Sequence, residues 1–320
     1  LPRQSDVFIN HHYTATPEEA VRDILRAGTD SDCGGFVGAH AQSALDKRII
    51  TEADLDARLK MLFRVRIRLS HFDPIGPLDQ IPPSAICSAS AKAIARDAVA
   101  QSLALLKNNG SSLPLSAATG SVAVIGPSAK QPWSITSYYG PSTSCDYAYP
   151  TLADAVKQYV AATTLTPGLA SALSTNTSGF AAAVAAAADA DAVVVAIGTD
   201  LSSAHEEMDA HNITIPSGQL ALLEAVAAVA KRPVIVVTFT AIPLDLTPVL
   251  SDPRVGAVLH AGQPSAQTLG IGDVIFGTKA PLNPASLPHP APPPSTPTPH
   301  PQPSALTHNH HFTPTLNHPP

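Results

Sequence analysis

The sequence predicts an α/β fold built on a mostly parallel sheet, and three observations carry that prediction. Ala192–Ile197, Pro233–Phe239 and Val255–Leu259 are continuous apolar runs with no polar alternation, the pattern of strands buried on both faces. Stretches with helical periodicity separate these runs, so strands and helices alternate along the chain. The first run closes on Gly198 and opens into a polar loop holding Glu206, Glu207 and Asp209. In open α/β sheets chemistry sits past the carboxyl ends of such strands, so Asp191–Gln219 is the stretch around which the chain is organised. Read without that context, the same acids are a solvated charge run.

The elements follow in order. Residues 1–16 read as irregular. Thr16-Pro17-Glu18-Glu19 is a helix start, with a capping residue, a proline in the first turn and acids at the positive dipole end. Ala20, Val21, Ile24 and Leu25 then recur at helical spacing, and Gly28 closes the helix. A second helix covers Val37–Leu45. Thr51-Glu52-Ala53-Asp54 opens a third with a capping-box pattern, running to Leu69 and stopped by Phe72-Asp73-Pro74. Residues 74–90, with several prolines, read as a linker. The periodicity then predicts a helix over Ala91–Lys107. Ser121–Ile125 is a short strand, and 127–150 a long loop carrying Trp133, Tyr138, Tyr139, Tyr147 and Tyr149. Aromatics in a loop either stack on a ligand or pin the loop to the core. Phe180–Ala190 is an Ala-rich helix, Gly218–Ala230 another, and Gly272–Phe276 a helix or last short strand.

From Pro281 the composition changes. The final 40 residues hold 14 Pro and 6 His and no Asp, Glu, Lys or Arg, too little apolar surface to offset the entropy of ordering. Residues 286–320 therefore read as a disordered tail, whose histidines can at most bind metal adventitiously. For the whole chain the net charge of −6 argues against nucleic acid and anionic membrane surfaces as partners. No run approaches the roughly 20 apolar residues of a membrane helix. Cys33, Cys87 and Cys145 show neither metal-type spacing nor a disulfide framework, and no metal or cofactor is expected. Asn109-Gly-Ser, Asn176-Thr-Ser and Asn212-Ile-Thr are glycosylation sequons.

Taken together the motifs resemble glycoside hydrolase family 3, in its plant-type β-xylosidase and α-arabinofuranosidase branch. The matching segments are His12-Tyr-Thr-Ala-Thr-Pro-Glu-Glu-Ala, Ala27-Gly-Thr-Asp-Ser-Asp-Cys-Gly, Thr51-Glu-Ala-Asp-Leu-Asp and Arg68-Leu-Ser-His-Phe-Asp. Leu105-Leu-Lys-Asn-Asn-Gly, Val122-Ala-Val-Ile-Gly-Pro, Val193–Asp200 and Asp273-Val-Ile-Phe-Gly continue them. Each is weak alone; their order over residues 5–285 is specific. The resemblance implies C-terminal units of a (β/α)8 barrel over 1–73, a linker and connecting helix over 74–107, and an α/β sandwich over 108–285. It also implies an oligosaccharide or polysaccharide substrate of xylan or arabinan type and an extracellular or cell-wall location.

Retaining glycosidases use two carboxyl groups about 5–5.5 Å apart. The resemblance places the acid/base Glu on the loop after Gly198 and the nucleophilic Asp in a barrel Ser-Asp-Cys segment. Anchoring on Asp209 makes Glu206 the candidate acid/base, with Glu207 in reserve. The branch's first loop Glu falls on Ala204 and its Arg on Ala210. Spacing back from Tyr13 puts the nucleophile just before Leu1, so it is expected to be absent from this chain. Asp6 lies in the following segment, and Ser31-Asp32-Cys33 matches a later barrel strand. Tyr139 and Asp209 are the candidate substrate-binding residues. The rival readings are a non-catalytic fragment or sugar-binding α/β module and a nucleotide-binding protein. Val122–Ala129 lacks the Gly-x-Gly-x-x-Gly that the nucleotide reading needs.

Overall fold

In a computed structural model the described residues are 4–116, 118–130, 149–205, 208–264 and 267–281. They form two compact units, divided between Pro83 and Ser84.

The first unit is helical. It holds α1 (Asp6–Ile9), α2 (Pro17–Arg26), α3 (Phe36–Asp46) and α4 (Glu52–Arg68). The expectation of an irregular 1–16 is corrected by the single turn of α1. At the start of α2 the Thr16 hydroxyl accepts from the Glu19 N–H while the Glu19 carboxylate accepts from the Thr16 N–H; Thr51 and Asp54 do the same for α4. These reciprocal bonds satisfy donors that a helix start leaves orphaned. Val21, Leu25, Ala44 and Ile50 form the small core. Beside it the nearly buried Glu18 accepts from Ser43 at 2.6 Å and from Lys47 at 2.7 Å. α4 buries none of its residues, and Val65, Ile67 and Leu69 are 55%, 62% and 74% exposed. Residues 27–35, which resemble a barrel strand, form turns and bends, and no strand occurs among the described residues of this unit. A parallel strand needs a neighbour to take its N–H and C=O groups, and here the described segment has none.

The second unit is the α/β sandwich. α5 (Ala89–Ser102) leads directly into β1 (Ala104–Asn108), which corrects the helix expected to continue to Lys107. Leu103, Leu105 and Leu106 prolong a helical pattern, but β1 pairs antiparallel with the last strand and carries a register shift between Leu105 and Lys107. The remaining elements are β2 (Val122–Ile125), α6 (Leu152–Lys157), β3 (Thr163–Thr166), α7 (Phe180–Asp189), β4 (Ala192–Gly198), α8 (Ser217–Ala227), β5 (Val234–Phe239), α9 (Thr247–Ser251), β6 (Val255–Gly262) and α10 (Leu269–Ile275). The 272–276 segment is thus helix, not strand. The six strands run in the order β1-β6-β5-β4-β2-β3, all parallel except β1.

Every residue of β4 and β5 is buried, as their apolar runs, interrupted by Thr238 alone, require. The pleat sorts them by alternation. Val194 and Ala196 face the cluster with α5, α6 and α10, whereas Val193, Val195 and Ile197 face Ala183, Leu222 and Val226 of α7 and α8. Each such Val, Ile or Leu contributes about 1.5–3 kcal/mol by leaving water. α5 is held to α10 by a forked ion pair from Arg96 to the buried Asp273, and the Tyr159 hydroxyl donates to the same carboxylate. Burial raises the Asp273 pKa, but the hydrogen bonds from Arg96 and Tyr159 outweigh it and hold the carboxyl below its ordinary value. Gly270 lets the helices close, since a Cβ there would lie 2.3 Å from the Arg96 carbonyl oxygen. Cys87 is disulfide-bonded and Cys33 is free and exposed, which corrects the reading that the cysteines form no disulfide framework.

Candidate active site

The loop predicted to carry the chemistry leaves the carboxyl end of β4, at the centre of the sheet, and ends where α8 begins. Its root is fixed by backbone geometry. Gly198 has φ +150°, and a Cβ there would lie 1.8 Å from the Phe239 carbonyl oxygen. Only glycine lets β4 and β5 stay together at that level. The fully buried Gln219 of α8 ties the same point down. Its Oε1 accepts from the Gly198 N–H at 2.8 Å, and its Nε2 donates to the Gly198 and Ala172 carbonyls at 2.7 Å each. Both lone functions of the amide are therefore used in a site that excludes water. Next along, the hydroxyls of Thr199 and Thr240 meet at 2.6 Å, bridging the ends of β4 and β5.

The loop then folds on itself. The Asp200 carboxylate accepts from the Ser202 N–H at 2.9 Å, a local turn of the kind Asp favours. His205 and Met208 exchange backbone hydrogen bonds of 3.0 Å in both directions, and the His205 Nδ1 lies 2.9 Å from the Leu201 carbonyl oxygen. Those bonds bracket Glu206 and Glu207. Both candidates, and Tyr139, lie outside the described residues. Asp209 is exposed. Beyond it, Thr214 pairs with Asp245, and the Asp245 N–H donates to the Ile213 carbonyl at 2.7 Å. Asp245 in turn accepts from the Thr247 N–H at 2.9 Å, and its hydrogen bonds to Thr247 lower its pKa.

Beside this loop is a cleft of about 670 Å³, whose walls include Thr199, Ser202, Ser203, Asn212, Thr214 and Ile215. Hydroxyls and amides set among apolar groups suit a neutral polyhydroxylated ligand. The Ser203 Oγ is buried and has no hydrogen-bond partner among the described residues. Of these wall residues, Thr199 lies in the family-like segment Val193–Asp200 and Asn212 and Thr214 in a sequon; the others did not stand out in the sequence. The signal for the others was position alone: they follow the glycine that ends a buried central strand.

Asp6 and Asp32, the two aspartates of the first unit weighed in the sequence, each make a local bond. Asp6, in α1, accepts from the Asn10 side chain at 2.8 Å. Asp32 accepts from the Val37 N–H at 2.9 Å at the start of α3. His260 of β6 contacts the Thr238 hydroxyl at 2.9 Å, and burial pushes its imidazole pKa down. Among the described residues no group of three or more His, Cys, Asp or Glu is arranged to hold a metal ion, and no helix is long and apolar enough to cross a membrane.

Residues 103–313 match the glycosyl hydrolase family 3 C-terminal domain. The chain belongs to glycosyl hydrolase family 3. Its relatives include β-D-xylosidase 1 of Arabidopsis thaliana, 37% identical over 280 residues, covering 86% of this chain and 36% of the relative. A probable exo-1,4-β-xylosidase of Aspergillus clavatus is 36% identical over 280 residues, covering 86% and 35%. Among solved structures, a family 3 exo-β-xylosidase in complex with a xylobiose aziridine activity-based probe superposes with a TM-score of 0.76 at 29% identity, over 87% of this chain and 36% of that one. A β-glucosidase from Listeria innocua in complex with isofagomine shares the fold, with a TM-score of 0.72 at 20% identity over 86% and 38%. The family 3 chain thus spans about a third of the length of these relatives.

Proposed function

We propose that these residues are the acid/base-bearing part of a β-xylosidase that removes xylose from xylan- or arabinoxylan-type oligosaccharides with retention of configuration. The observation that carries the reading is the position of the loop. It leaves the central strand β4 at its carboxyl end and borders a hydroxyl-lined cleft, in a chain whose relatives include named β-xylosidases. Glu206 is the proposed proton donor and later acceptor, Glu207 the reserve, and Asp209 and Tyr139 the proposed sugar-binding residues. A retaining acid/base must be partly desolvated so that its pKa rises towards neutrality. An extracellular setting, a place in xylan catabolism and a polysaccharide-derived substrate belong to the same proposal.

We assign no carboxylate of the first unit the nucleophile's role, because the family resemblance places that Asp in an earlier barrel segment than those holding Asp6 and Asp32. Without a nucleophile no glycosyl-enzyme forms, and proton transfer alone supplies roughly 10²–10⁴-fold of the 10⁶-fold or more typical of enzymes. The test is purified residues 1–320 against an aryl β-xyloside, with Glu206→Gln as control. The expected result is no turnover above the control. Turnover at the rate of an ordinary glycosidase, abolished by Glu206→Gln, would show a nucleophile within the chain and make Asp6 and Asp32 the first residues to substitute.

A further inference from the structure

We infer that Asn176 and Asn212 carry N-linked glycans and that Asn109 does not. All three asparagines are exposed, as are the hydroxyl residues two positions on, so exposure does not separate them. Side-chain geometry does. The Asn176 Oδ1 accepts from the Ser178 N–H at 2.9 Å, and the Asn212 Oδ1 accepts from the Thr214 N–H at 2.8 Å. Each bond engages the carbonyl oxygen of the carboxamide and leaves Nδ2, the atom that is modified, without a hydrogen bond among the described residues. The bond spans two residues, so it is available to a nascent chain before any tertiary structure exists, which is when the transferase acts.

Asn109 is different. Gly110 and Ser111 have φ of +59° and +54°. That pair of left-handed residues is stabilised by neighbours, with the Asn108 side chain bonded both to the Leu113 N–H at 2.9 Å and to its carbonyl at 3.0 Å. The Ser112 hydroxyl donates to the Asn109 carbonyl at 2.7 Å. The bond from Asn Oδ1 to the second following N–H does not form there.

Two further features favour the modification. The disulfide at Cys87 is of the kind that forms in oxidising, secretory compartments, where the oligosaccharide donor is found. Asn176 also lines a hollow of about 280 Å³, on which a first sugar can settle. In the reaction Nδ2 bonds to C1 of the first sugar of a lipid-diphosphate oligosaccharide. The bond from C1 to the phosphate oxygen breaks, the lipid diphosphate leaves, and the amide gives up one proton. This inference does not depend on the glycosidase reading.

The test is the protein secreted from a eukaryotic cell, digested with peptide N-glycosidase in heavy-oxygen water, and mapped by mass spectrometry. Each glycosylated Asn is then read as a labelled Asp. We expect label at 176 and 212 and none at 109. Ser178→Ala and Thr214→Ala keep both asparagines and their backbone bonds, and each should remove one glycan from the intact mass. Absence of label at either 176 or 212, or label at 109, overturns the inference.

Discussion

The two units are capped by the same local chemistry but stabilised very differently. In the sandwich the sheet has helices on both faces, and β4 and β5 are buried from end to end. In residues 4–83 the buried apolar residues are only Ala20, Val21, Ile24, Leu25, Ala44 and Ile50 among the described residues, and the longest helix, α4, buries none of its side chains. A two-sided sheet completes its own core, whereas the helices of residues 4–83 leave apolar side chains such as Val65 and Ile67 exposed. Capping boxes therefore start α2 and α4 as they start α6, but only the sandwich converts helix formation into a large apolar core.

The sharpest way to break this comparison is a pair of truncations. Leu222→Ala, in the fully buried seam of α8, should cost about 2–5 kcal/mol. Ile67→Ala on α4, 62% exposed, should change stability by no more than about 0.5 kcal/mol. Urea unfolding followed by hydrogen exchange reads both, and equal costs would erase the distinction. Next in size is Arg96→Ala. It leaves the buried Asp273 carboxylate with Tyr159 as its remaining side-chain donor among the described residues, and should cost about 3 kcal/mol. Arg96→Lys should not restore the full value, because an ammonium cannot reproduce the fork. Smaller still, Thr51→Ala and Thr151→Ala should each cost about 1 kcal/mol. Near-equal values in thermal melts would support a shared capping chemistry.

The pH response sharpens the contrast for the first unit. Hydrogen bonds from Lys47 and Ser43 hold the Glu18 carboxyl down to about 2, from an ordinary 4.5. A depressed carboxyl stabilises the fold above its unfolded pKa and loses that contribution as pH falls towards the folded one. The contact of α2 with α3 should therefore loosen between about pH 4.5 and pH 2, and Glu18→Gln should flatten the response there. Circular dichroism of wild type and variant along an acid titration checks this; identical profiles would contradict it.

The central strands were legible because apolar runs such as Ala192–Ile197 have one physical explanation, burial on both faces. Edge elements were not. Among the described residues Thr163–Thr166 pairs only with β2, so β3 has no apolar run to announce it, and the leucines of β1 continue the period of the helix before them. The antiparallel return against β6 overrode that period. The short helices α6 and α9 were missed because five or six residues hold too few turns for periodicity to register. For the candidate site, the sequence located the loop through Gly198 and its acids. The supports of that loop, Gln219 and the Thr199–Thr240 pair, were not visible, since a buried amide or hydroxyl is recognised only by what it touches.

The central claim is that the loop between β4 and α8 supplies the acid/base of a retaining β-xylosidase. Its most direct test is kcat/KM for xylobiose in the complete protein carrying Glu206→Gln or Glu207→Gln. Loss of a positioned proton donor costs about 10²–10⁴-fold. Glu206→Gln is expected to show that loss, with Glu207→Gln close to wild type. A Glu206→Gln variant that cleaves xylobiose at the wild-type rate would contradict the account.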